Sequence, residues 1–438
     1  MSCWHGYAPI EGNEAAFRVD ASAVTFGPGA LGEAGSHLRA AGCRRALVVT
    51  DPWLARTPHV DAVLRSLRAA AVDAVLYDRV HVEPTDRSFR DAAAFAEDGA
   101  FDGYVSVGGG SSIDTCKAAI LYATYPADLY AYVNAPIGEG RAVPGPLPPH
   151  VACPTTCGTG SECTGIAVFD DLALRVKTGI ASRALRPTHA LVDPTCAETL
   201  PAMVVAASGF DVLCHALESF TARPFVARVA PADAAARPMS QGRNPWSDVG
   251  SREALRIAGE TLVRAVTDPS DAEARHALAW GATLAGIAFG NAGVHLPHAM
   301  SYSIAGLVRD YVCPGYPEGA PLVPHGVSVV VSAPSVFRAT AGTSPDRHLQ
   351  AAALLGADVR GARPDHASDA GEALAGALAR LMRATSIPNG VGGVGYGDAD
   401  VEPLARGAIV QKRLVDNAPM KVDEDAMRAL FRGAMRVW

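Results

Sequence analysis

Lysine is scarce in this chain. Of its 38 basic residues other than histidine only four are lysine, at 117, 177, 412 and 421, and basic residues never run together in a block. The net charge is −7. Nucleic acid is therefore not an expected partner, because phosphate binding needs clustered cations. Nine cysteines are present but no CxxC pair. Cys153, Cys157 and Cys163 lie close together without a matching second cluster, so they do not form a zinc knuckle. An odd, scattered set in a chain of this size argues for reduced thiols and a cytoplasmic protein. The opening stretch lacks the charged-then-apolar pattern of a signal peptide, and Glu11 and Glu14 argue against a transit peptide. Long runs of Leu and Ile are missing too. The least polar stretch, 277–294, is built from Ala and Gly, which suits a tightly packed buried helix better than a membrane span. There is no GxxxxGK[ST], so a P-loop is excluded.

What is present is an ordinary globular composition: 438 residues, 49% hydrophobic and 19% charged, enough for two or three domains. The first half alternates strand-like and helix-like segments. Strands are expected at 45–51, 73–78, 101–110, 150–156, 165–171 and 188–194, with helices at 59–71, at 86–98 and from Ser111. Such alternation implies a parallel sheet covered by helices. After Pro194 strand patterns vanish and Ala/Leu-rich helical patterns dominate. The expected division is a Rossmann-like domain over 1–195 and an all-helical domain over 196–438. Two long loop-like stretches, 223–248 and 310–326, interrupt the helical half, and loops of that length are often functional.

Three groups of residues carry chemistry. In "GGGSSIDTCK" (108–117) three glycines end a strand and a helix begins at once. Bare backbone and free N–H groups at a helix start suit a pyrophosphate, so Gly108, Gly109, Gly110 and Ser111 are candidates, although these glycines do not spell GxGxxG. Asp51, at the end of the 45–51 strand, is placed either to bond the ribose hydroxyls of NAD or to cap the next turn. "CPTTCGTGSECTG" (153–165) is a second small-polar loop after a strand, and would face the same crevice. The third group is Asp211 and His215, four apart on one helix face, with His298 and His325 elsewhere in apolar or glycine-rich surroundings. Together they would make an N3O site suited to a first-row divalent metal, with a position left for a substrate oxygen.

"GGGSSIDTCKA", "PTTCGTGSE", "GFDVLCHALE", "HAMSY" and "VPHGV", in this order, resemble the iron-containing (group III) alcohol dehydrogenases, nearly end to end. The resemblance implies the two-domain fold shared with dehydroquinate synthase, α/β followed by all-α. It implies bound NAD and one divalent metal, Fe2+ or else Zn2+, held by Asp211, His215, His298 and His325. It also implies cofactor contacts from Asp51, Gly108, Gly109, Gly110, Ser111, Asp114, Thr155, Thr156, Thr159 and Lys177. The stretches 132–140, 176–188, 237–245 and 289–302 look closest to the hydroxyacid-oxoacid transhydrogenase branch. That branch moves a hydride from 4-hydroxybutyrate to 2-oxoglutarate through retained NAD.

Many members of the family carry a proton-transferring His four residues after the third metal ligand. Here that position is Tyr302, while His295 lies three residues before the ligand, so Tyr302 and His295 are the candidates for proton transfer. Both substrates would be carboxylates, and Lys177, Arg183, Arg237 and Arg243 are candidate cations for them. Glu218 reads as a supporting or surface residue. A homo-oligomer and no membrane partner are expected. The alternatives are an ordinary NAD-dependent dehydrogenase of the same family with exchangeable cofactor, a dehydroquinate-synthase-like lyase, and a non-catalytic protein that keeps the fold.

Overall fold

The computed structural model of the chain describes residues 6–316, 321–363 and 365–438. It divides into two compact units: Ala21–Leu200, and the described residues up to Asp20 together with Pro201–Trp438.

The first unit holds β1 (Ala23–Phe26), β2 (Arg45–Val49), β3 (Asp73–Tyr77), β4 (Gly103–Gly108), β5 (His150–Pro154), β6 (Ile166–Asp171), β7 (Val176–Ala181) and β8 (His189–Val192). Six of these form one parallel sheet in the order β1-β8-β5-β4-β2-β3. Every residue of β4 is buried, as is Ala46–Val49 of β2, as parallel strands covered on both faces must be. Helices Pro58–Ala69, Asp86–Gly99 and Gly110–Thr124 make the crossovers. The second of them starts at a capping box, in which Thr85 and Ser88 each accept the other's backbone N–H.

From β2 the chain steps outward to β3, then returns to the other side of β2 for β4. The loops leaving β2 and β4 therefore diverge, and a crevice opens at the carboxyl ends of these strands. Asp51 follows β2 and Gly108–Gly110 end β4, so both stand at this crevice. The strand read at 165–171 exists as β6, but outside the sheet. It pairs only with β7, in an antiparallel hairpin that sets Asp170 opposite Lys177.

The second unit is helical. Its longest members are Ala202–Thr221, Pro245–Thr267 and Ala272–Ala292. Small residues let them approach closely: a Cβ on Gly209 would collide with Leu262, and one on Gly281 would stand 3.2 Å from Ile257 Cγ2. Ala272–Ala292 stops at Gly293, whose φ of +82° suits only glycine. The next helix, Leu296–Gly306, turns away by 104°. Ala202–Thr221 has the length and apolarity of a membrane span, yet it is largely buried within its unit and carries Asp211, His215 and Glu218.

Residues 6–20 differ from the expected division at 195, because they belong to the helical unit. Arg18 N–H donates to Gln241 at 2.7 Å and Asp20 N–H to Asn291 at 2.8 Å. Arg237 grips Glu14 through two bonds of 2.9 Å, and Tyr7 stacks on Phe225. Of the two long loops, 223–248 contains two single-turn 3-10 helices before Asn244 caps Pro245–Thr267. In 310–326, residues 317–320 lie outside the described residues, and His325 begins a short helix.

Candidate metal centre and dinucleotide loops

Asp211 and His215 lie one turn apart in the buried part of Ala202–Thr221. His298 enters from the first turn of Leu296–Gly306, which the break at Gly293 redirects toward them. His325 comes from the first residue of His325–Val330, where a Cβ on the next residue, Gly326, would press into the Ala207 carbonyl. The Nε2 atoms of His215, His298 and His325 each stand 3.6 Å from Asp211 Oδ1. All four ligand atoms lie within 4.8 Å of one another.

A distance of 3.6 Å is too long for a hydrogen bond. It is close to the roughly 3.4 Å edge of a tetrahedron with ion–ligand bonds of about 2.1 Å. Asp211 Oδ1 and His298 Nε2 are buried and have no hydrogen-bond partner among the described residues. Buried polar atoms are rarely left so, and here they converge on one point, as ligands of a cation do. Among the described residues this is the one cluster of its kind. Burial works to raise the Asp211 carboxyl, but the imidazoles of His215, His325 and His298 outweigh it and hold the group well below the usual carboxylate range. Burial pushes His215 down to about 3, so its ring is a neutral, ligand-ready imidazole. That ring stacks on Phe289 at 3.9 Å.

Glu218 supports the cluster from behind. Its Oε1 lies 2.5 Å from His298 Nδ1, and its Oε2 accepts His295 N–H at 2.6 Å. With Nδ1–H given to Glu218, Nε2 is the nitrogen that His298 turns toward Asp211, and a bound metal would take the place of its proton. Burial alone would lower His298, but Glu218 and Asp211 raise it to about 9 when no metal competes. His295 does not reach the cluster through its ring. It is the cap of Leu296–Gly306: Nδ1 accepts Leu296 N–H at 2.7 Å, while Nε2 lies 3.0 Å from Thr221 Oγ1. Both nitrogens are thus engaged, and burial holds the ring neutral, near 4. Tyr302 lies one turn beyond His298 on the same helix and is buried.

In the first unit, helix Gly110–Thr124 starts without a side-chain cap. Its leading N–H groups are the kind that receive an anion. The two small-polar loops touch here. A Cβ on Gly109 would stand 3.1 Å from Thr156 Cγ2, and one on Gly110 2.8 Å from Thr159 Cγ2. Thr155 is buried and donates its N–H to Gly108 O at 3.0 Å. Asp51 Oδ1 accepts the N–H groups of Trp53 and Leu54, both at 2.9 Å, so it does cap the turn, and its Oδ2 makes no bond among the described residues.

Comparison with known proteins gives this arrangement a family. The model of the iron-containing alcohol dehydrogenase matches residues 21–194, and that of the Fe-containing alcohol dehydrogenase C-terminal region matches 238–435. The chain belongs to the iron-containing alcohol dehydrogenase family. It is 48% identical over 438 residues to a mitochondrial hydroxyacid-oxoacid transhydrogenase of Xenopus tropicalis, covering 99% of this chain and 94% of that one. It is 47% identical to the human protein of the same name, over 97% and 90%. The crystal structure of a 1,3-propanediol oxidoreductase superposes with a TM-score of 0.82 at 30% identity, covering 96% of this chain and 100% of that one.

Several residues that resemblance to the iron-containing alcohol dehydrogenases brings forward are engaged inside the protein. Asp114 accepts Ser161 O–H at 2.5 Å and Val168 N–H at 2.9 Å, with Lys117 at 3.3 Å. It ties the second loop and β6 to the glycine helix. Lys117, buried with it, also bonds Ile166 O at 2.7 Å. Lys177 is buried between Glu83 at 2.7 Å and Asp170 at 3.1 Å. Burial would lower its ammonium, but these carboxylates outweigh it and raise it. Arg237 is committed to Glu14, and Arg243 lies over the Tyr7 ring. Sequence reading did not foresee these commitments: Glu83, Glu14 and Tyr7 are remote from their cations along the chain, and Asp170 faces Lys177 only because of the β6–β7 pairing. A GxGxxG string does occur at 390–395, but it forms a 3-10 turn in the helical unit after a helix, not after a strand, so it lacks the dinucleotide context.

Proposed function

We propose that this chain is a metal- and NAD-dependent hydroxyacid-oxoacid transhydrogenase. It would oxidise 4-hydroxybutyrate to succinic semialdehyde and reduce 2-oxoglutarate to 2-hydroxyglutarate. The observation that carries this reading is near-half identity, across almost the whole chain, with transhydrogenases of that name.

When bound, the divalent metal supplies Lewis-acid polarisation of the substrate oxygen, and NAD accepts and returns the hydride. Asp211, His215, His298 and His325 hold the metal. The donor set suits Fe2+, as the family description says, and accepts Zn2+. Glu218 fixes the His298 tautomer. Gly108, Gly109, Gly110 and Ser111 receive the pyrophosphate, the open oxygen of Asp51 takes ribose hydroxyls, and Thr155, Thr156 and Thr159 line the adjoining loop. Tyr302 is assigned the proton transfer. His295, with both ring nitrogens engaged, positions the helix that carries His298 and Tyr302. The setting is a soluble one, proposed as cytoplasmic, although the named relatives are mitochondrial. The unit of function is proposed as a homo-oligomer, open to sedimentation analysis.

The test uses purified, metal-replete protein without added nucleotide. It is given 4-hydroxybutyrate and 2-oxoglutarate, and 2-hydroxyglutarate is followed. Turnover supports the transhydrogenase with retained cofactor. No product until NAD is supplied, with NADH then accumulating, makes it an ordinary dehydrogenase of the same family.

A further inference from the structure

Glu83 has a left-handed backbone, φ +54°. Glycine or asparagine is the usual residue there, and a longer side chain in that region is held by its surroundings. The surroundings here are specific. Its carboxylate meets the buried ammonium of Lys177 at 2.7 Å. Lys177 stands opposite Asp170 across the β6–β7 hairpin and bonds that residue as well. Asp170 in turn donates its N–H to Pro84 O at 2.7 Å, so the residue after Glu83 is strapped to the same hairpin. This clamp fixes the direction of the Glu83 N–H, which donates to Ser111 Oγ at 3.1 Å.

Ser111 is in the first turn of Gly110–Thr124, at the uncapped helix start. A serine hydroxyl has one proton and two lone pairs. A lone pair here is occupied by Glu83 N–H, so rotation about the Cβ–Oγ bond is restricted and the proton must point away from Glu83. Among the described residues that proton has no acceptor, and the N–H groups beside it are those placed for an anion.

We propose that Glu83 is a positioning residue of the cofactor site: clamped by Lys177, it orients the Ser111 hydroxyl so that its proton is donated to a pyrophosphate oxygen. This rests on the reading of Gly108–Ser111 as the pyrophosphate site of NAD. It gives the β6–β7 hairpin a purpose in cofactor retention, and it explains why Lys177 is engaged within the protein rather than open to a ligand.

The test is a set of NAD titrations, by calorimetry, on the full chain freed of nucleotide, with melting temperature as the control for folding. A hydrogen bond to a charged phosphate oxygen is strong, so Ser111→Ala is expected to weaken NAD about tenfold. Glu83→Ala should weaken it about fivefold to tenfold, and the double variant no further than Ser111→Ala alone. Glu83→Asn tolerates the left-handed backbone but is too short for the clamp, and should weaken NAD while keeping the fold. Adenosine, which lacks the pyrophosphate, should bind all variants alike. Variants that bind NAD as the wild type does, or losses that add in the double variant, overturn the proposal. Wild-type protein that fails to bind NAD at all overturns the cofactor reading itself, and this inference with it.

Discussion

Glu218 Oε1 and His298 Nδ1 lie 2.5 Å apart, both side chains buried, and the same carboxylate holds the backbone N–H of His295. One carboxylate thus orients a proposed metal ligand and pins the chain just before it. Such partners typically account for ten- to hundredfold in metal affinity. Glu218→Gln is therefore expected to lose metal to a chelator about 10- to 100-fold more readily than wild type, with most of the fold retained. Equal metal retention by the variant would remove Glu218 from the centre.

The equidistance of three imidazoles from Asp211 Oδ1 makes Asp211 the hub of the cluster. Asp211→Ala should leave metal content near zero by elemental analysis and lower transhydrogenase activity by about a hundredfold or more. A variant that keeps both stoichiometric metal and activity would mean that the ion, if any, is held elsewhere.

Gly110 faces Thr159 so closely that an added Cβ would stand 2.8 Å from its methyl. Gly110→Ala should destabilise the loop pair by about 1–3 kcal/mol and weaken NAD binding. Thr159→Ser removes the methyl, so adding it to Gly110→Ala should restore much of both in a melting and titration series. A double variant no better than the single one would point to backbone conformation instead of crowding.

His295 and Tyr302 are distinguishable by what their removal disturbs. His295→Ala deletes a helix cap and a buried bond to Thr221, so a stability loss of about 2–4 kcal/mol is expected in denaturant titrations, with activity per folded, metal-loaded molecule close to normal. Tyr302→Phe removes a hydroxyl only. It should leave the melting curve near wild type and reduce kcat, with a changed pH–rate profile. The reverse pattern would exchange the two roles.

The parts of the site that were legible beforehand are those with short sequence periods. Asp211 and His215 announce themselves because a helix brings residues four apart to one face, and Gly108–Gly110 because a strand running into glycines and then a helix is a local signal. Glu218 lay on the same helix but its partner did not. The meeting with His298 depends on Gly293 stopping one helix and redirecting the next by 104°, which no local pattern reveals. Lys177, Arg237 and Arg243 read as spare cations for the same reason: Glu83, Glu14 and Tyr7 lie far from them in sequence.

By itself, then, the sequence determined the alternation of β and α, the change to helices after Pro194, and the residue types of the proposed metal and phosphate sites. The first two follow from periodicity and the phosphate loop from the backbone freedom of glycine, whereas the full metal set came together through the resemblance to the iron-containing alcohol dehydrogenases. The tertiary structure alone decided that residues 6–20 join the helical unit, that β6 leaves the sheet for a hairpin with β7, and that Asp114 and Lys177 serve as internal ties while Glu218 orients His298. A buried charge must find its partner wherever the fold brings one within reach, and that choice is made across the chain rather than along it.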